Sequence, residues 1–316
     1  MKQTTYRKLI TTLMICFFEF NGSAQPDKKL HIDMQFNNYR ISGLLEQKEK
    51  KGSDIIQLKA LQVYNAIQDA TKTVQLPYSL IQIYQQFVTY NDLFFLQGEI
   101  APLIEINYII SLEKGCIGDF FVSNYVIPSP FHNYIVYQTS FPRMAPPEFK
   151  CSYLMIYDFK KLDDPKPIHT TNREFPPTTV GWPLYPPEYV IAQEHSAQIQ
   201  DVHINPLIWA PDEKGIIFIS WTDDPCEYFL VSIDISQGVE RLLIRQKKID
   251  VLGLSKWGKM HERTKQSYDK NCLPFSVRKL EWVDEKTICL HMDPSRSLLF
   301  DKTIILSLED METVLE

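Results

Sequence analysis

The chain has 316 residues, 44% of them hydrophobic, and a formal charge of −6. That apolar share supplies a sizeable core and excludes a disordered chain, while the mildly acidic balance works against general binding to a phosphate backbone. Past the first 24 residues no run reaches the roughly 18 apolar residues of a spanning helix, so no transmembrane segment is expected in the mature chain.

Residues 1–24 have the pattern of an export signal. Lys2, Arg7 and Lys8 form a basic head, 9–18 is a short apolar run closed by Glu19, and Gly22-Ser23-Ala24 precedes Gln25. Cys16 follows the bulky Ile15, which argues against lipid attachment there. The expected location is periplasmic or secreted. Loss of residues 1–24 removes three basic residues and one acidic one, a net of two positive charges, and takes the formal charge from −6 to −8. The mature chain, 25–316, keeps Cys116, Cys151, Cys226, Cys272 and Cys289. Export permits disulfides, but the odd number leaves at least one thiol free or paired between chains. Cys151, Cys226 and Cys289 lie beside or inside apolar alternation, where a small buried apolar role is the default.

Leu30, Ile32, Met34 and Phe36 alternate with polar residues, the pattern of a half-buried strand. Residues 46–51 read as a solvated mixed-charge turn. Residues 53–70 give the best helix pattern: Ser53 or Asp54 can cap it, and Ile56, Ala60, Tyr64 and Ile67 fall near one face. Short strands are predicted over 82–84, 92–97, 103–111 and 118–123, punctuated by Asn91, Gly98 and Pro102. Ten of the twenty prolines fall between Pro142 and Pro187, which excludes a sheet interior because proline donates no ladder hydrogen bond. Residues 141–150 therefore read as a loop inside a hairpin formed by 134–139 and 152–159. Residues 163–189 read as a long connection, with 181–189 polyproline-like.

The run Trp209-Ala210-Pro211-Asp212-Glu213-Lys214-Gly215-Ile216-Ile217-Phe218 reads as a strand end, a tight turn and a new strand. A hairpin of 216–221 with 228–235 follows. Pro211 and Asp212 start the turn and Gly215 relaxes it. Ile216, Phe218 and Ser220 should face one side, and Ile217, Ile219 and Trp221 the other, as in a sheet packed between two neighbours. Weaker copies stand at 128–138, without a tryptophan, and at 282–290, without a proline and with 302–308 as partner strand.

At Trp209, Pro211, Asp212, Lys214, Ile216 and Phe218 the chain resembles the repeat of TolB-like periplasmic β-propellers. The resemblance implies that Trp209 ends an inner strand and packs between blades. The anchors lie 81 residues apart (Pro130 to Pro211) and 73 apart (Trp209 to Trp282), against ~40–50 for a regular blade, so the blades carry insertions or degenerate blades lie between. The expected fold is all-β, an irregular β-propeller-like body of antiparallel hairpins with a short N-terminal helix. An antiparallel sandwich or barrel is the alternative.

Such repeats serve scaffolds, sensors and peptidases, so the fold does not fix the function. No GxSxG elbow is present; Gly253-Leu254-Ser255-Lys256-Trp257-Gly258 has its second glycine one residue late and reads as a turn. No P-loop, Rossmann glycine pattern or cysteine-rich metal motif occurs, and no cofactor is implied. His195, His203 and Asp201 hold metal-ligating groups, but the spacing suits no standard zinc site and a polar loop leading into a strand is preferred. Asp223-Asp224 with Glu227 lacks the pattern of a calcium loop and reads as a hairpin tip. The recognition candidates are Trp182, Tyr185 and Tyr189, with Glu194, His195, Asp201 and His203 on the same loop face. Large rigid aromatics at a rim suit partner capture; alternatively the loop staples the body, with Trp182 buried. The expected function is an exported, non-enzymatic binding or interaction protein whose partner is another protein or an envelope polymer. The alternative is a hydrolase or lyase acting on a glycan or peptide through the cluster from Glu194 to His203.

Overall fold

A computed structural model describes residues 30–50, 53–89, 91–102, 104–123, 125–138, 154–161, 182–185, 203–223, 226–239, 241–266, 273–297 and 299–315. The strands form five antiparallel sheets that follow one another along the chain. The first holds β1 (Asp33–Phe36), β2 (Tyr39–Lys50), β3 (Ser53–Asn65) and β4 (Ala70–Leu80). The second holds β5 (Gln82–Val88), β6 (Leu93–Ala101), β7 (Ile104–Ser111) and β8 (Cys116–Val122). The third holds β9 (Tyr125–Pro128), β10 (Tyr134–Gln138), β11 (Leu154–Asp158) and β12 (Trp182–Tyr185). The fourth holds β13 (His203–Trp209), β14 (Gly215–Asp223), β15 (Cys226–Asp234) and β16 (Leu243–Lys248), and the fifth holds β17 (Val277–Asp284), β18 (Thr287–Met292) and β19 (Thr303–Ser307). The last strand, β20 (Glu312–Leu315), returns to pair with β16 at the edge of the fourth sheet.

Four apolar cores fill the spaces between consecutive sheets. Ile41, Leu61 and Val63 meet Phe94, Leu96 and Ile110 between the first and second. Phe95, Ile109 and Phe121 meet Ile135, Tyr137 and Tyr157 between the second and third. Val136 and Ile156 meet Trp209, Ile216 and Phe218 between the third and fourth. Ile217, Ile219 and Leu230 meet Leu280, Ile288 and Leu290 between the fourth and fifth. Because side chains alternate across a strand, a sheet between two neighbours must be apolar on both faces, and β14 divides Ile216 and Phe218 from Ile217 and Ile219 as its sequence predicts. Each such side chain contributes ~1.5–3 kcal/mol on full burial. Among the described residues no apolar cluster joins the first sheet to the fifth. The protein is thus all-β and propeller-like, a series of stacked meanders not closed into a barrel.

The repeat anchors sit where the inner strands end. The Trp209 indole N–H donates to the Ile127 carbonyl at 3.2 Å, and the Trp282 indole N–H donates to the Trp209 carbonyl at 2.9 Å. Inner strands β9, β13 and β17 are therefore tied in series, so Trp209 does pack between sheets. The long anchor spacings come from insertions: the third sheet precedes the fourth directly, with residues 186–202 between β12 and β13, and 249–276 separate β16 from β17.

Three expectations are corrected. Residues 53–70 form no helix; they build β3 and its turn into β4. A β-bulge explains the misleading spacing. Lys59 is skipped in both ladders, with Leu44 opposite Ala60 and Leu45 opposite Leu58, so the core face steps three residues from Leu58 to Leu61 before alternation resumes at Val63, a helix-like step inside a strand. The helical turns are short: α1 (Val251–Leu254) and α2 (Glu262–Lys265), with 3-10 turns at Phe159–Lys161 and Trp257–Lys259. The hairpin after Trp209 is relaxed by Glu213, at φ 60°, and not by Gly215. Cys226 is no simple apolar filler; it is half-buried and disulfide-bonded, whereas Cys289 is a free thiol.

Candidate functional site

Antiparallel order gives the stacked sheets two ends. At one end lie the first hairpins of the sheets. Their left-handed residues are Asn37, Asp92, His132 and Glu213, at φ 48°, 57°, 58° and 60°. The turn is the same in three sheets: the amides of Asp92, His132 and Glu213 donate to the carbonyls of Thr89, Ser129 and Ala210. Neighbouring turns are linked by side chains. Asn37 Nδ2 donates to Asp92 Oδ1 at 3.3 Å, and Asn91 Nδ2 donates to the Phe159 carbonyl at 2.8 Å. The His132 ring stacks on Phe87 at 4.2 Å between centroids, and burial lowers its pKa. The Glu213 carboxylate, only 5% exposed as a residue, accepts from the Phe131 amide and from Asn133 Nδ2 at 2.6 Å.

The opposite end carries most of the longer connections: 139–153, 186–202, 249–276 and 293–302. It also carries an arm. β1 is paired with β2 as far as Ser42, and β4 with β3 as far as Leu58, while β2 and β3 continue to pair with each other out to Lys50 and Ser53. Leu45 and Ile56 are diagonal neighbours on this projecting hairpin, 52% and 39% exposed. Lys59 Nζ and Glu46 Oε1 close a 3.2 Å ion pair at its base.

The sequence candidates divide between sheets. Trp182 and Tyr185 lie on β12, the outermost strand of the third sheet, opposite Ile156 and Leu154. This segment is an edge strand and not a polyproline-like loop; Pro183 is tolerated there because an edge strand needs no second ladder. His203 opens β13, the innermost strand of the fourth sheet, opposite Trp221. Tyr189, Glu194, His195 and Asp201 lie outside the described residues. Glu227 forms an ion pair with Lys248 beside the β14–β15 tip, as suits a hairpin tip. The Ser255 hydroxyl donates to the Leu252 carbonyl at 3.0 Å, within a helical turn. Among the described residues no group of three or more His, Cys, Asp and Glu side chains is placed to hold a metal ion, and no helix is long and apolar enough to cross a membrane.

Sequence reasoning missed a polar cluster at the same end of the second sheet. Glu99 and Glu105 are direct cross-strand partners, as are Gln97 and Asn107. Tyr84 donates to Glu99 Oε2 at 2.8 Å, and Gln97 Nε2 donates to Glu105 Oε2 at 2.9 Å. Burial raises the Glu105 carboxyl pKa, the Gln97 hydrogen bond opposes it, and the Glu99 charge adds to it. Burial and the bond to Glu99 push the Tyr84 phenol up to about 12. Asn107, fully buried, donates to the carbonyls of Phe121 and Ser123 at 3.3 and 3.2 Å, and its Oδ1 has no hydrogen-bond partner. The only sequence signal was a pair of carboxylates flanking Pro102 at a predicted strand junction. A carboxyl that burial makes harder to ionise holds its proton more readily, and the protonated form can donate as well as accept.

No protein family matches this chain, and no curated protein does. Among solved structures it is similar to a prolyl endopeptidase at 8% identity and TM-score 0.29, over 91% of this chain and 44% of that one. It is also similar to a protein from Lactobacillus plantarum, at 9% identity and TM-score 0.29, over 91% of this chain and 83% of that one. A third likeness is to the tricorn protease, at 9% identity and TM-score 0.28, over 88% of this chain and 29% of that one. The chain thus spans less than half the length of the two peptidases. Neither activity nor substrate is carried across at these identities.

Proposed function

We propose that the protein is an exported, non-enzymatic binding or interaction protein, TolB-like in its repeat, that meets another protein or an envelope polymer at its insertion end. One observation carries the reading: the two ends differ. One holds like turns bonded to each other, though the connection 162–181 and exposed Ile67 and Phe131 also lie there, while the other carries four longer connections and an arm that projects beyond its sheet with Leu45 and Ile56 exposed. Binding residues collect on loops held by a rigid scaffold, and exposed apolar side chains on a projecting element favour contact with a partner. The signal-like residues 1–24 and the Cys226 disulfide support an oxidising location, periplasmic or secreted. Photo-crosslinkers placed at Leu45, Ile56 and, as a control, Ile305 of the fifth sheet test it in the source organism. The reading predicts one adduct of fixed mass from the two arm positions and none from the control. Equal labelling at all three, or none at all, contradicts it.

The alternative, a hydrolase or lyase acting on a glycan or peptide, draws on Tyr84, Glu99 and the raised carboxyl of Glu105. It requires that Glu105→Gln abolish a turnover measured with the unsubstituted protein.

A further inference from the structure

The outward face of the first sheet holds a cavity of about 420 Å3, within the ~300–1,000 Å3 of small-molecule sites. It reaches the base of the arm, where Leu45 lines it. The alternation that sends Ile41, Leu61 and Val63 into the first core sends Arg40, Ser42, Gln62 and Tyr64 to the other face. The register places these residues in two adjacent rows. Asp33, Ser42 and Gln62 stand opposite one another in the first, and Arg40, Tyr64 and Thr71 in the second. At ~4.8 Å between strands, a row across four strands extends about 14 Å.

The chemistry of the lining is selective. Arg40 donates to Asp33 through Nε at 3.1 Å and Nη2 at 3.2 Å. The two charges offset each other, yet the pair still offers N–H donors and carboxylate lone pairs to the cavity. Gln62 adds an amide that both donates and accepts, and Ser42 and Thr71 add hydroxyls. The Tyr64 hydroxyl donates to Asp69 at 2.9 Å, which fixes the ring's orientation at the cavity wall. An anionic polymer meets Asp33 and Asp69 here without a net positive field. A purely apolar ligand leaves the polar lining unpaired, which weakens its binding for each group it buries. A ligand that carries adjacent donor–acceptor hydroxyls, no charge and a C–H face for an aromatic ring satisfies the polar lining and also meets the apolar side of the cavity at Leu30, Ile32 and Leu45.

We propose that this face binds a neutral glycan, with Tyr64 as the stacking platform and Gln62 and the Arg40–Asp33 pair reading ring hydroxyls. Isothermal titration of the mature chain with cellohexaose, maltohexaose, xylohexaose and chitohexaose tests it, with hexagalacturonate as the anionic contrast. One neutral hexasaccharide should bind with little change on raising salt to about 0.5 M. Tyr64→Ala and Gln62→Ala should each weaken it about tenfold, while Tyr64→Phe, which keeps the ring, stays within about twofold. Circular dichroism should show all three variants folded, and Ile56→Ser, on the arm and outside the cavity lining, should weaken partner crosslinking and leave glycan binding unchanged, so that the two readings fail separately. Absence of binding to any neutral hexasaccharide, tighter binding of hexagalacturonate, or equal binding by folded Tyr64→Ala overturns the proposal.

Discussion

Glu213 shows how one residue serves a turn and a neighbouring sheet together. A non-glycine side chain in the left-handed region costs ~1–2 kcal/mol, and here the carboxylate offsets it by accepting from Phe131 and Asn133 of the preceding hairpin. Glu213→Ala keeps the strain and loses both bonds, so urea denaturation should show about 2 kcal/mol of lost stability. Glu213→Gly loses the bonds but not the backbone ease, and should recover about 1 kcal/mol of that loss. Trp282→Phe keeps a ring in the core and removes only the donor to the Trp209 carbonyl, a change of about 1 kcal/mol. Glu105 bears on pH. Its raised carboxyl keeps a proton in the folded chain where the unfolded chain has already released it. That term therefore favours folding at low pH and fades as pH rises from the ordinary glutamate value through the folded one. In Glu105→Gln the fall is absent, so urea midpoints compared at about pH 4 and about pH 7 should converge with wild type at the lower pH and exceed it at the higher.

Within an element, the sequence showed what alternates and hid what a bulge shifts. β14 was legible because Gly215, the apolar pairs and the turn before it all agree. β3 was not, because one skipped residue at Lys59 put a three-residue step, Leu58 to Leu61, into a two-residue alternation. The edge strand β12 was hidden by Pro183, which marks exclusion from a central strand and not from an edge. Gly98 illustrates a constraint that no pattern reveals. A Cβ there would lie 2.5 Å from the Gln82 carbonyl oxygen and 2.7 Å from Leu80 Cδ1, so β6 can pair with β5 under β4 only with glycine at this position. Gly98→Ala should cost about 2–3 kcal/mol in thermal unfolding, and more than any substitution on the arm. The polar cluster beside it was unreadable for a related reason: Tyr84, Gln97, Glu99 and Glu105 are distant or unremarkable in sequence and meet only through strand register.

For the whole molecule, two anchors and a weak third were enough to suggest stacked β units but not their number. The same turn recurs at Thr89 with no sequence likeness to the motif, since its defining feature is a backbone angle adopted by Asp92, His132 and Glu213 alike. The insertions that stretched the repeat spacing also carry the predicted binding residues from Tyr189 to Asp201, so the sequence drew attention to a connection and the fold shows which end it leaves. The terminal sheets carry polar outward faces, Asp33 and Arg40 at one end of the series and Lys279, Glu281 and His291 at the other, which fits a series that begins and ends in solvent. The central claim is that one end is a bonded scaffold and the other is built for contact. Hydrogen exchange on the mature chain, followed by mass spectrometry, tests it directly. Strands β6, β7, β14 and β15 and the turns around Asp92, His132 and Glu213 should exchange slowest, and the described arm residues 45–50 and 53–57 fastest. Protection of the arm equal to that of the turns would contradict the account.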